Sequence, residues 1–408
     1  MNPLSSAAMK TKSFVTSILL FATFSAQADW TAFRGSSGNG FADAPKLITQ
    51  LDDEKGLAWK VSLPGRGLSS PVVVGDRIFL TASSGPLQKR LHVIAIDAQK
   101  GEIAWERQFV ATGRTVCHTK TCIAAPTTVS DGKVICAQFS SNDLFCLDLE
   151  GNLKWLRGLT SDYPNAANSL GMSSSLALAN GVLVSQVEND ADSFTAGIEL
   201  SSGKTLWRKE RPKGANWTSP TTFTSAKGKR LFALQSKAGL LIVEPRTGKE
   251  LWNYADGAST IPSTTVMGRD LFVPSNGLTA LRSREDDNGH TQLWRQNKLG
   301  PGTASPVVSG GKIYVVNNAN VLTCANPEDG ELIWRLRLKG PFSGSPVATK
   351  THAYLFSEKG LGQVVDLRGK EGKVVSTIEL DETILGTPAI SGNALYVRSD
   401  GHLWKFAK

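Results

Sequence analysis

The chain has 408 residues, with 45 Lys and Arg against 36 Asp and Glu, a net charge of +9, and 40% hydrophobic residues. The positive charge is spread along the sequence with no Lys/Arg block, which argues against a nucleic-acid-binding protein and reads as a solvated surface. Residues 1–28 come first. They carry Lys10 and Lys12, then the apolar run FVTSILLFATFSA, then Ala26-Gln27-Ala28. A basic start, a short apolar core and an A-x-A site are the parts of a secretory signal peptide, cleaved after Ala28. The run is well short of the roughly 20 residues that cross a bilayer, and no later segment is apolar enough to span. Removing two lysines leaves a mature charge of +9 − 2 = +7. The first cysteine is Cys117, so a lipid-anchored mature N-terminus is not indicated. The expected location is secreted, periplasmic and oxidising, where disulfides persist.

Residues 29–56 form a leader, and residues 57–408 are repetitive. One marker is a small or polar residue beside a proline, followed by an apolar run: SSPVVV at Pro71, then equivalents at Pro126, Pro220, Pro262, Pro306, Pro346 and Pro388, with Ser175 in the proline position of an eighth copy. The other is a tryptophan shortly after a glycine turn, at Trp59, Trp105, Trp155, Trp207, Trp252, Trp294 and Trp334, with Val375 in the eighth slot. A self-similar period of about 40–50 residues is sought before any domain count, and four short strands per period mark a propeller blade. In the first unit SSPVVVG, DRIFLTAS, RLHVIAID and EIAWERQF read as the four strands. The chain ends on three strands (TPAISG, NALYVRS, GHLWKFAK) and opens, after the leader, on a fourth, GLAWKVSL. The reading is an all-β fold: one eight-bladed β-propeller with four-stranded blades, its ring closed by the N-terminal strand completing the last blade, so that no edge is left open.

The third-to-fourth-strand turns, such as AIDAQKGEIAW and IVEPRTGKELW, place a tryptophan where it would lie across to the next blade. Here the sequence resembles the pyrroloquinoline-quinone-like (PQQ-like) propellers, whose tryptophan-docking repeat has this form, over nearly all of residues 57–408. The family includes quinoprotein alcohol dehydrogenases and the non-enzymatic propeller of the outer-membrane β-barrel assembly machinery. WTAFRGSSGNG, CHTKTCIAAPT, DYPNAAN and VENDADSFTAG are similar to segments of a secreted bacterial branch. Fold alone does not fix activity.

Three connections are long or chemically loaded, at 111–125, 160–174 and 187–196, followed by 212–220. Long loops on a rigid scaffold are where function resides. They bring Arg114, His118, Lys120, Asp162, Tyr163, Asn165, Asn168, Asn216 and Trp217 to one sector of the channel mouth. Trp217 is out of the docking phase and precedes an innermost strand, so it is either an aromatic platform for a flat ligand or a packed anchor. Candidate cofactor contacts are Trp217, Asn216, Arg114, His118 and Asn168. Glu188, Asn189, Asp190 and Asp192 offer hard oxygen ligands to calcium, or form a polar loop of Asx turns. The resemblance implies that PQQ with calcium would sit in this sector.

GRTVCHTKTCIAAP lacks the C-x-x-C-H order of a haem site, a fourth zinc ligand and the helix of a thioredoxin-like pair. What remains is a Cys117–Cys122 disulfide bracing the loop, or two free thiols. Cys136 and Cys146 are equidistant from a turn near Ser141, so they could face each other and bond; crossed pairings among the four are also open. Cys324 reads as a buried thiol, and His118 as the most reactive side chain of the loop. Two functions follow: a non-enzymatic binding or scaffolding protein of the cell envelope, monomeric, holding envelope proteins or a small ligand at the long-loop face, or a PQQ- and calcium-dependent quinoprotein oxidoreductase. Against the second, no adjacent Cys-Cys pair and no C-x-x-C-H haem domain is present. A hydrolase is a distant third, because no G-x-S-x-G elbow occurs.

Overall fold

The computed structural model describes residues 29–52, 56–166 and 170–408. The proposed signal peptide and Asn168 lie outside the described residues. Alternating apolar runs separated by Gly, Asn and Asp turns pair locally into eight antiparallel sheets of four strands each, arranged as an eight-bladed propeller. Blades 1–7 span residues 72–110, 129–158, 177–210, 221–254, 265–296, 307–337 and 347–379. Blade 8 takes its inner three strands from the C-terminus, and Leu57–Ser62 completes it by pairing with His402–Phe406. The expected ring closure is therefore present.

Within each blade burial falls from the axis outward. The inner strand Val72–Val74 is wholly buried, whereas the outer strand Ile103–Val110 is half-exposed. The periodic tryptophans explain how the blades adhere. Trp105, Trp155, Trp207 and Trp294 each donate an indole N–H to a carbonyl of the following blade, at Leu149, Leu200, Pro245 and Pro327, all at 2.8 Å. Each ring lies on a glycine of that blade: Gly151, Gly203, Gly248 and Gly330. A side chain there would occupy the space of the indole, and positive φ (66° at Gly248) favours glycine as well.

The wedge between blades 7 and 8 has Val375 in place of a tryptophan, and the leader fills it. Leu47, Ile48 and Leu51 are buried in the same cluster as Val375 and Trp404. Leu51 N–H donates to Ser376 Oγ (2.9 Å), and Tyr354 OH donates to the Ile48 carbonyl (2.8 Å).

The leader also forms the floor of the central channel. Trp30 exchanges two backbone hydrogen bonds with Val73 of blade 1, both 3.0 Å. The Thr31 carbonyl accepts from Ser130 in blade 2, Gly38 abuts Thr221 in blade 4, and Gly40 bonds Ala348 in blade 7. Arg34 is fully buried and donates to the Thr264 and Pro306 carbonyls and to Thr265 Oγ1, linking blades 5 and 6. No ion pair balances it among the described residues, and burial lowers its pKa to about 9, so it is cationic at neutral pH.

Candidate functional site

The sequence places a Ser or Thr beside every blade-opening proline, and the fold brings these together as a ring. Ser70, Thr127, Ser175, Ser219, Ser263, Ser305, Ser345 and Thr387, one per blade, line a cavity of about 420 Å³ at the axis. The backbone N–H of each of the first seven donates to the hydroxyl of the next, at 2.9–3.0 Å. Seven ring hydroxyls, all but that of Ser70, thus accept, while their own protons find no acceptor among the described residues. Phe33 of the leader closes the base. Leu68, Leu170, Trp217, Ile261 and Leu385 give the upper wall an apolar character.

A strap, the 111–125 connection, covers part of the mouth with His118, Lys120, Thr121 and Ala125. Asp143 is buried and accepts from Thr112 N–H and Oγ1 and from Ser141 Oγ, fixing where the strap begins. Arg66 donates to the Thr119 and Thr121 carbonyls (3.0 and 2.8 Å) and pairs with Asp400 of blade 8 (3.0 Å). Lys120 reaches Glu358 on a turn of blade 7 at 2.9 Å, and Ser343 Oγ donates to the same carboxylate. His118 N–H donates to the Leu170 carbonyl (3.0 Å), and Trp217 Nε1–H to that of Gly171 (2.9 Å). Connections between blades and second-to-third-strand turns thus share one mouth, as expected.

Of the candidate contacts, the structure brings His118 and Trp217 to the cavity wall. His118 Nδ1 accepts from Lys120 N–H. Trp217 is both half-buried channel wall and a hydrogen-bonded anchor, which joins the two readings of it. Arg114 is exposed, away from the cavity lining. Asn216 is buried and turned into the blade, donating to Glu188 Oε2 and the Gln235 carbonyl. Asp162 pairs with Arg157, and Tyr163 packs on Phe194 beneath Arg208, all outside the channel. The 160–174 segment, read as a loop, opens with a single helical turn, Leu159–Asp162.

The acidic cluster does not converge. Glu188 takes Arg211 Nε on one oxygen (2.8 Å) and Asn216 on the other (3.0 Å). Burial raises the Glu188 pKa, and Arg211 opposes that rise. Asn189 Oδ1 accepts from Ala191 N–H and its amide donates to the Asp192 carbonyl, an Asx turn. Asp190 is exposed and Asp192 half-exposed. Among the described residues no group of three or more His, Cys, Asp or Glu is placed to hold a metal ion.

All five cysteines are unbonded thiols in this structure. Cys136 and Cys146 are direct cross-strand partners in blade 2, as their spacing predicts. Such pairs stand about 4.5–5.5 Å apart at Cα, within reach of a disulfide. Cys117 is half-buried beside the Gln88 amide, while Cys122 is fully buried, its thiol pushed up to about 12 by burial. The strap is held instead by Arg66 and Lys120. Cys324 is a buried thiol.

Sequence reasoning also missed a Ser62–His402–Glu382 arrangement on blade 8, with Ser62 Oγ 3.0 Å from Nε2 and Glu382 2.7 Å from Nδ1. Its cause is register: Ser62 and His402 are cross-strand partners. Blade 1 repeats the motif at Ser84, His92 and Glu106, which marks it as sheet glue.

Fold and site together define an eight-bladed propeller with a strapped, hydroxyl-ringed channel floored by its own leader. A family model described as "Outer membrane protein assembly factor BamB" matches residues 28–174, 165–274 and 279–365, and the chain belongs to this PQQ-repeat family. It is 23% identical over 390 residues to the outer membrane protein assembly factor BamB of Burkholderia pseudomallei, covering 89% of this chain and 92% of that one. A BamB of Alkalilimnicola ehrlichii is 26% identical over 54% of this chain, a match that spans about half (52%) of that relative. A polyvinylalcohol dehydrogenase of a Pseudomonas species is 22% identical, over 75% of this chain and 49% of that protein. Among solved structures, BamB of Moraxella catarrhalis superposes with a TM-score of 0.62 at 15% identity, covering 86% of this chain and 98% of that one. A europium-containing methanol dehydrogenase gives 0.69 at 13%, covering 93% and 98%. At these identities the structural likeness is one of fold.

Proposed function

We propose that the chain is a non-enzymatic binding or scaffolding protein of the cell envelope, exported by residues 1–28, that acts as a monomer in outer-membrane protein assembly. The observation that carries this reading is the mouth itself. Leu170 and Ile261 are 43% and 44% exposed on it, and Val116 is 46% exposed on the 111–125 strap, in loops pinned by Arg66, Asp143 and Trp217. Exposed apolar side chains on a rigid, polar-rimmed surface are the chemistry of a protein interface. Most of the full-length BamB relative is matched by this chain, which supports the same role. The test is binding of the purified protein to the solubilised outer-membrane protein assembly complex from the same cell. Val116→Glu is expected to raise Kd at least about tenfold while leaving the melting temperature unchanged, because a charge enters the interface core but not the fold. An unaltered Kd removes this face from the reading.

The quinoprotein reading has Trp217 in its favour, a flat ring on the channel wall. The residues present do not supply the rest. Glu188 is committed to Arg211 and Asn216, and the cavity wall carries hydroxyl and apolar groups with His118 and Lys120, but no carboxylate to hold a hard cation or act as base. A titration with PQQ is therefore expected to show no dependence on calcium, in melting temperature or in quinone spectrum. A ligand at 100 times its Kd would add about 2.7 kcal/mol, so a genuine site would be seen.

A further inference from the structure

We propose that the axial cavity is a binding cup for a small organic anion, one carboxylate or sulfonate group on an apolar ring body, independent of any partner docked on the mouth. Four features carry the assignment.

The first is donor geometry. Eight buried hydroxyls from eight blades surround one axis, and seven of them, all but Ser70, accept from a neighbouring backbone N–H, leaving the proton as the free group. A converging set of donors without acceptors suits an oxyanion. Thr121 Oγ1, also on the cavity wall, is a buried hydroxyl with no partner.

The second is charge. Arg34 lies in the floor segment next to Phe33, and Arg398 lies in the wall behind Ser69, donating to Ser69 Oγ (2.6 Å). Both are fully buried, and each keeps guanidinium nitrogens without a partner: Nε of Arg34, and Nε and Nη2 of Arg398. Of the carboxylates near the mouth, Glu358 pairs with Lys120 and Glu188 with Arg211, Asp400 pairs with Arg66 and also faces Arg398, and Asp143 is held by the neutral donors of Thr112 and Ser141. Arg34, buried in the floor without an ion pair, gives the base of a cavity whose wall has no carboxylate a positive bias, which low-dielectric walls focus along the channel.

The third is size and polarity. About 420 Å³ falls within the roughly 300–1,000 Å³ of small-molecule sites. The upper wall of Leu68, Trp217, Ile261 and Leu385 is apolar and the lower ring is polar. A ligand with a flat apolar body above and an anionic head below matches both halves. The fourth is access. The leader closes the base, so the cup opens at the strapped mouth, where Ile261 is 44% exposed.

The test uses two fluorescent probes of nearly the same body: 8-anilinonaphthalene-1-sulfonate, and the uncharged N-phenyl-1-naphthylamine, which lacks the sulfonate. The purified mature protein is expected to bind the sulfonate one-to-one with saturation, and at least about tenfold more tightly than the amine. Ile261→Glu sets a carboxylate in the mouth and is expected to weaken the sulfonate by about tenfold or more beyond the loss that Ile261→Gln causes, while weakening the amine no more than Ile261→Gln does. Ile261→Gln is the uncharged comparison: it removes the same apolar wall contact without adding charge, and should weaken the two probes by similar factors. The proposal is overturned if the sulfonate fails to saturate at one site, if the amine binds as tightly as the sulfonate, or if Ile261→Glu and Ile261→Gln weaken the sulfonate equally.

Discussion

Replacing Trp207 by alanine is expected to lower the free energy of unfolding by about 3–5 kcal/mol, the range for a large buried aromatic whose cavity cannot collapse. Trp207 belongs to the outer strand Thr205–Glu210 of blade 3, yet it is only 9% exposed. Its ring lies against Gly248 and its Nε1–H donates to the Pro245 carbonyl, both in blade 4. On the other side Gly197 of its own blade gives it room, since a Cβ there would stand 2.1 Å from the indole. Rigid backbone on both sides means the hole would stay open, and the Pro245 carbonyl would lose its indole donor. The neighbouring Leu206 is 38% exposed, and Leu206→Ala should stay within about 0.5 kcal/mol. Equilibrium unfolding in guanidinium measures both. Equal, small losses for the two would mean that the tryptophan does not weld the blades.

The second large effect is expected in the leader. Trp30→Ala should also cost about 3–5 kcal/mol. If residues 1–28 are removed on export, as proposed, this residue lies beside the N-terminus, ordinarily a tolerant position. Here it is 2% exposed, its backbone bridges Val73 in both directions, and its ring supports Gly35 at the turn that leads to Arg34. The same segment carries Phe33 to the channel and the fully buried Arg34 between blades 5 and 6. Loss of the tryptophan should loosen the floor and the ring together, so one cooperative transition should move to lower denaturant. An unchanged midpoint would show the leader to be an appendage.

Blade number, strand order and ring closure were legible because they depend on local signals. A Gly turn and a Trp four residues on are close in sequence, and counting them yields seven docking tryptophans and a first strand owed to the last blade. The Cys136–Cys146 register followed for the same reason, since a hairpin is set by its own turn. The site was harder to read. Its loops could be chosen by length, and His118 and Trp217 did reach the cavity, but Asn216 and Glu188 turned inward to satisfy each other and Arg211. Buried polar groups take the nearest partner, and only packing says which that is.

Two further features lay in plain sight without a local signature. The Ser or Thr beside each proline marks a strand start in one blade; only the eightfold closure turns eight separate residues into a donor ring. The leader could be bounded in the sequence but not placed; in the structure it crosses the channel base and fills the wedge that has Val375 in place of a tryptophan. Sequence by itself determined the repeating blade, because its contacts lie within about 50 residues. Tertiary structure alone decided the floor, the strap and the hydroxyl ring, because those contacts join residues up to more than 300 apart and depend on what the closed ring leaves uncovered.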